Sequence, residues 1–268
     1  MSLPPTLSAA ACKVLCTASP ADKVALSAQF AAAWRNAEIV EIGDTQPPTR
    51  PARPERPKLL HPSDMPHRRK GGRAGRLAFL HAIAHIELNA IDLAWDIVCR
   101  FPGEAMPVEF FDDWVSVAAD EARHFSWLAQ RMNDLGGVYG ELPAHDGLWE
   151  AAGQTMDDLM ARLALVPMVL EARGLDITPG AIEKLRANGD SESADILQSI
   201  SDEEVPHVAA GVRWLTFLAK RRGVEPVAAF HEYVRCRFKG RIKPPFNHAA
   251  RAKAGMDRAF YESSTSAS

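Results

Sequence analysis

Glu121 stands three residues before His124, and Glu204 stands three residues before His207. On an α-helix this spacing sets both side chains on one face about one turn apart, where they can grip one metal ion together. A single Glu-x-x-His pair arises often by chance. Here each pair has a forerunner in an apolar stretch: Glu87 lies 34 residues before Glu121, and Glu171 lies 33 residues before Glu204. The order Glu, Glu-x-x-His, Glu, Glu-x-x-His is the ligand set of a four-helix bundle that holds two metals among carboxylates.

The charges of such a set balance. Two divalent ions are neutralised by the carboxylates of Glu87, Glu121, Glu171 and Glu204, while neutral His124 and His207 add nothing, as a buried site requires. Carboxylate and imidazole without thiolate suits two iron ions, or manganese in place of one or both, better than structural zinc. Glu121 and Glu204 are read as bridging, Glu87 and Glu171 as largely terminal, with the ions about 3.5–4 Å apart and able to share one O2. Asp120 and Glu203 each precede a ligating glutamate. Because a ligating imidazole commonly gives its other N–H to a carboxylate, both are predicted to orient a histidine across the bundle, against the plainer reading of solvated acids. Glu203, four before His207, also competes with Glu204 as ligand. Arg123 is assigned to balance charge, with Arg173 and Arg213 as weaker candidates. No catalytic residue beyond the ligands is legible. The bland alternative is a helical bundle with ordinary surface glutamates and histidines.

Four helices must position these residues. Strand formers are sparse and Ala, Leu, Glu and Arg abundant, which predicts an all-α fold; the 268 residues, 47% hydrophobic, suffice for a substantial core. Core helices are expected over about 73–101, 107–135, 148–172 and 191–222. Gly174 is read as a stop for the third, and a separate short helix follows, capped by Thr178-Pro179 and ending near Ala187. Pro167, one turn before Glu171, must kink its helix or free a carbonyl, and Pro206 interrupts hydrogen bonding inside the second motif. His81 and His85 fall off the Glu87 face. Two N-terminal helices are expected over 6–17 and 20–36. From 44 to 75, seven prolines and dense arginines exclude regular helix; this stretch is read as a strap over the bundle in preference to a ligand-binding arm. The expected organisation is 1–72 for the N-terminal helices and strap, 73–222 for the bundle, and 223–268 for a C-terminal helix and basic tail packed on it. The loop 136–147 looks short for a bundle crossover, so residues 148–154 join the crossing or the helices tilt.

Net charge of −3 gives no global pull towards nucleic acid. Cys12, Cys16, Cys99 and Cys236 are scattered and read as free thiols. No apolar run approaches a membrane span and no secretion signal opens the chain, so a cytoplasmic location is expected.

Asp120-Glu-Ala-Arg-His124 resembles the motif of bacterial di-iron monooxygenases, and the six-ligand pattern that of the ferritin-like superfamily. More closely, Glu171-Ala-Arg-Gly-Leu-Asp-Ile-Thr-Pro-Gly-Ala-Ile-Glu-Lys-Leu, Asp202-Glu-Glu-Val-Pro-His-Val-Ala-Ala-Gly-Val-Arg-Trp and Lys243-Pro-Pro-Phe-Asn resemble an uncharacterised bacterial family, domain-of-unknown-function family 455. The resemblance implies a ferritin-like four-helix bundle with extra N- and C-terminal helices, a dimetal site at the six ligands, and no established substrate. Val205-Pro206 departs from the small residue expected before the histidine. The leading functional expectation is an O2-dependent oxidase or hydroxylase acting on an unknown small molecule, with room for a homo-oligomer. The alternatives are an iron-oxidising, iron-handling protein, and an RNA binder like related tRNA-modifying hydroxylases, using basic clusters at 68–76 and 235–243.

Overall fold

A computed structural model describes residues 3–66 and 71–262. Among these the regular structure is helical, apart from one isolated parallel bridge between Leu59 and Ala144. The chain forms two compact units, residues 1–150 and 151–268.

The first unit contains α1 (Leu7–Leu15), α2 (Pro20–Arg35), α3 (Gly72–Arg100) and α4 (Val108–Asp134). Thr6 caps α1 by accepting from the Ala9 N–H at 3.2 Å, and Ser19 caps α2 ahead of Pro20. The central pair is α3 and α4, whose apolar stripes bury Leu80, Ala84, Leu88 and Ile91 with Trp114, Ala118, Phe125 and Leu128. Gly136, with φ +71°, ends α4 in a left-handed turn that returns the Gly137 N–H to the Met132 carbonyl at 2.9 Å. By length and apolarity alone α3 could cross a membrane, but 67% of its most apolar window is buried within the protein. Its apolar character belongs to the core.

The proline-rich strap lies over this unit, and two of its arginines reach carboxylates there. Arg53 pairs with Asp92 on α3 and donates to Asn89 Oδ1 at 2.6 Å, while Arg50 pairs with Asp146. Asp92 also receives the buried Lys23 ammonium at 2.5 Å. Backbone bonds from Ala52 to the Leu15 carbonyl and from Leu60 to the Ala144 carbonyl complete the seam. Lys23 and Arg53 thus meet the charge of Asp92 inside the core. Arg68, Arg69 and Lys70 lie outside the described residues.

The third core helix differs from its expected form. A separate helix α5 (Gly147–Gly153) lies in the connection, and the chain re-enters helix at α6 (Leu159–Leu165) under the Asp158 cap. A π-helical turn follows over Val166–Glu171, then α7 (Ala172–Ala187). The π-turn holds Pro167: the Ala172 N–H reaches back five residues to the Pro167 carbonyl, absorbing the proline within a wider turn. Gly174 does not stop the helix, and Thr178-Pro179 does not start a new one; α7 runs through both. Pro179 has no N–H for the Leu175 carbonyl, and the Asn247 side-chain amide supplies one at 3.1 Å.

The second unit is completed by α8 (Ser191–Arg221), α9 (Pro226–Arg237), α10 (His248–Lys253) and α11 (Arg258–Tyr261). Pro206 leaves α8 continuous. Both Pro206 and Asp202, whose carbonyl it frees, are exposed, so water can serve that carbonyl. The first and last of the three segments that carry the family resemblance are tied together here. Arg173 donates to the Lys243 and Pro245 carbonyls at 2.9 and 3.0 Å. Asp176 accepts from the Asn247 backbone at 2.9 Å and from buried Arg251 at 2.9 and 2.7 Å, and Arg251 stacks on Tyr261 at 4.5 Å.

Candidate metal centre

In the first unit, Glu87 on α3 meets Glu121 and His124 on α4. Their exposures are 5%, 1% and 0%. His124 Nδ1 lies 3.2 Å from Glu87 Oε2 and 3.6 Å from Glu121 Oε2, and each residue offers a ligand atom within 4.8 Å of the others. Burial works against the imidazolium, but hydrogen bonds and charge attraction from Glu121 and Glu87 outweigh it and push His124 up to about 11. Without an ion, the proton on His124 is the counter-charge of the two carboxylates. This buried carboxylate–imidazole cluster could hold a metal ion.

In the second unit, Glu171 ends the π-turn, while Glu204 and His207 share one face of α8, with His207 Nδ1 3.5 Å from Glu204 Oε2. His207 is buried at 1%, whereas Glu171 and Glu204 are half-buried. The π-turn packs on α8, and Gly211 permits the approach: a β-carbon there would stand 2.6 Å from Pro167 Cβ and Cγ. Pro167 is one turn from Glu171, and Gly211 is one turn from His207. The six residues singled out by spacing thus fall into two sets of the same composition, Glu87/Glu121/His124 and Glu171/Glu204/His207.

Asp120 is paired with Arg123 at 2.8 Å, and Glu203 is half-buried on α8. Arg123 lies over the Trp127 ring, 5.4 Å from its centroid, and the same indole is 5.7 Å from the His124 ring. Trp127 was not visible as a neighbour of the cluster; its only sequence signal is its position three residues after His124. His81 and His85 serve the loop after α4 instead. His81 Nε2 accepts the Gly140 N–H at 2.9 Å, and His85 lies 2.7 Å from the Tyr139 hydroxyl and 3.2 Å from the His145 carbonyl. In the basic segment 235–243, Arg235 is spent on Glu232 at 2.6 Å and Arg237 on Asp157 at 2.7 Å.

Comparison with known proteins adds kinship without an activity. A family described as "Protein of unknown function (DUF455)" matches residues 16–262. An uncharacterized protein of Haemophilus influenzae is 43% identical over 212 residues, covering 76% of this chain and 72% of that protein. No solved structure matches.

Proposed function

The chain belongs to the DUF455 family of proteins of unknown function, and within it we propose a ferritin-like dinuclear metal carboxylate protein that uses O2 to oxidise a small molecule. One observation carries this reading: a buried Glu–Glu–His cluster on α3 and α4, whose composition recurs as Glu171, Glu204 and His207. Glu87, Glu121 and His124 would hold one ion and Glu171, Glu204 and His207 the other, two carboxylates in each set meeting the charge of one divalent ion beside a neutral imidazole. Iron is favoured, with manganese able to replace one or both ions, because the donors are oxygen and imidazole without thiolate. Two such ions would supply the electrons that O2 takes up, and so the oxidising power turned on the substrate.

The chain's own residues do the rest. Glu87 and Glu121 bring negative charge into a core that excludes water, with Trp114, Phe125 and Leu128 among its buried apolar residues. His124 carries a proton between those carboxylates until an ion replaces it. Glu171 and Glu204, half-buried, form the wetter set.

The test is elemental analysis of protein purified without oxygen, followed by its visible spectrum on exposure to O2. About two irons per chain and a new absorption band are the expected result. Zinc, or no metal, with an unchanged spectrum would remove the O2 chemistry.

A further inference from the structure

The loop that follows α4 folds back on the start of α3 and leaves a half-open pocket of about 130 Å³ between them. Leu77, Met132, Val138 and Leu142 give it apolar walls, and Val138 and Leu142 remain 56% and 37% exposed. The polar side chains that line it are His81 and Glu141. Glu141 is exposed, and its Oε2 already accepts the Val138 N–H at 3.1 Å.

The chemistry of His81 is fixed by a backbone neighbour. A backbone N–H can only donate, and that of Gly140 reaches His81 Nε2 at 2.9 Å. Nε2 therefore carries the lone pair, and the neutral ring holds its proton on Nδ1. Burial lowers the His81 pKa, against the charge of Glu141, which keeps the ring neutral. Tyr139 stacks on the ring at 5.1 Å. The Nδ1–H has no hydrogen-bond partner among the described residues, in a side chain only 2% exposed. A buried donor without an acceptor is costly. An ordered water needs roughly two to four polar partners, and the walls of this pocket are mostly apolar. A cavity of about 150 Å³ with such walls takes a benzene ring.

We propose that this pocket binds a small neutral molecule with about six carbons and one oxygen that accepts from His81 Nδ1–H. That describes a ketone, ester or ether. The carbon skeleton covers Leu77 and Met132, and the oxygen satisfies the buried donor. A carboxylic acid would bring its negative charge against Glu141, and an ammonium ion would set donor against donor at Nδ1. The site needs no metal, since none of its residues is among the six candidate ligands.

The test titrates the full-length protein with cyclohexanone and follows the methyl signals of Leu77 and Met132 and the nitrogen shift of His81 Nδ1 by NMR. Saturable methyl shifts with Kd on the order of 1 mM are expected. The His81 Nδ1 signal should move with them, and should stay in place with cyclohexane, which fills the same space without an acceptor. Cyclohexanecarboxylate should bind about tenfold more weakly than the ketone. Ala74 lines the pocket and is exposed on the first turn of α3, so Ala74→Trp should plug the mouth and abolish the shifts. In the unmodified protein, methyl signals that do not saturate, a Nδ1 signal unmoved by the ketone, or equal binding of the carboxylate would each overturn the proposal. Unchanged binding in a folded Ala74→Trp protein would do the same.

Discussion

Gly211 on α8 lies so close to Pro167 in the π-turn that no β-carbon fits between them without movement, 2.6 Å being the distance it would have to the proline ring. Two opposing effects decide what alanine does there. At an exposed helical site, Gly→Ala gains roughly 1 kcal/mol. Against a proline ring held in a buried turn, overpacking costs about 1–3 kcal/mol. Gly211→Ala is therefore expected to destabilise the protein in urea, despite the better helix former. It should also lower metal content towards one ion per chain, because the displaced turn carries Glu171. A stabilised variant with unchanged metal would show that the contact positions nothing.

Pro179 and Asn247 form a second coupled pair. The proline leaves the Leu175 carbonyl without its helical donor, and the Asn247 amide takes that place at 3.1 Å; Asn247 Oδ1 also caps α10 through the Ala250 N–H at 3.1 Å. Asn247→Ala should cost about 1–3 kcal/mol. In a Pro179→Ala background the new N–H serves Leu175, so the same change should cost less by about 0.5–1.5 kcal/mol. Equal costs in both backgrounds, measured by denaturant unfolding, would mean that the amide does not stand in for the missing bond.

These two pairs also show where the sequence stops being informative. The α3 and α4 stripes were legible because each repeats at helical period without a competing signal, and the α8 stripe because its period runs on through Pro206; together they carry Glu87, Glu121, His124, Glu204 and His207. The segment after Pro167 was not. Gly174 and Thr178-Pro179 are local stop and start signals, and what overrides them is Asn247, which no local window contains. The strap was recognisable as irregular from its prolines, but the carboxylates that pair with Arg50 and Arg53, Asp146 and Asp92, lie far along the chain.

His85 makes the protein sensitive to acid. Burial first, and then the nearby Arg53 charge, push its pKa down from 6.5 to about 4, against the smaller pull of the His145 carbonyl. The folded value is below the unfolded one, so His85 is neutral in both states above pH 6.5 and costs nothing there. As pH falls from 6.5 towards 4, the unfolded chain takes up a proton that the folded protein refuses. Stability from this group is lost across that window, up to roughly 3 kcal/mol. His85→Gln should flatten the decline, whatever its own stability at neutral pH. An unchanged slope between pH 6.5 and 4 would assign the acid sensitivity elsewhere.

His124 has the opposite sign. In metal-free protein its folded pKa, about 11, lies above the unfolded value of 6.5, so its stabilising proton is fully present below pH 6.5 and is lost as pH rises through 11. Metal-free protein should therefore weaken on going from neutral to strongly basic pH, and His124→Ala should lose that slope. A divalent ion at Glu87, Glu121 and His124 has to displace the same proton, because an imidazolium offers no lone pair. Manganese affinity should rise up to about tenfold per pH unit between roughly pH 7 and 9, and calorimetry in buffers of different ionisation enthalpy should record about one proton released from this residue per ion bound. Manganese that binds equally well at pH 7 and 9, releasing no proton, would place the ion away from His124.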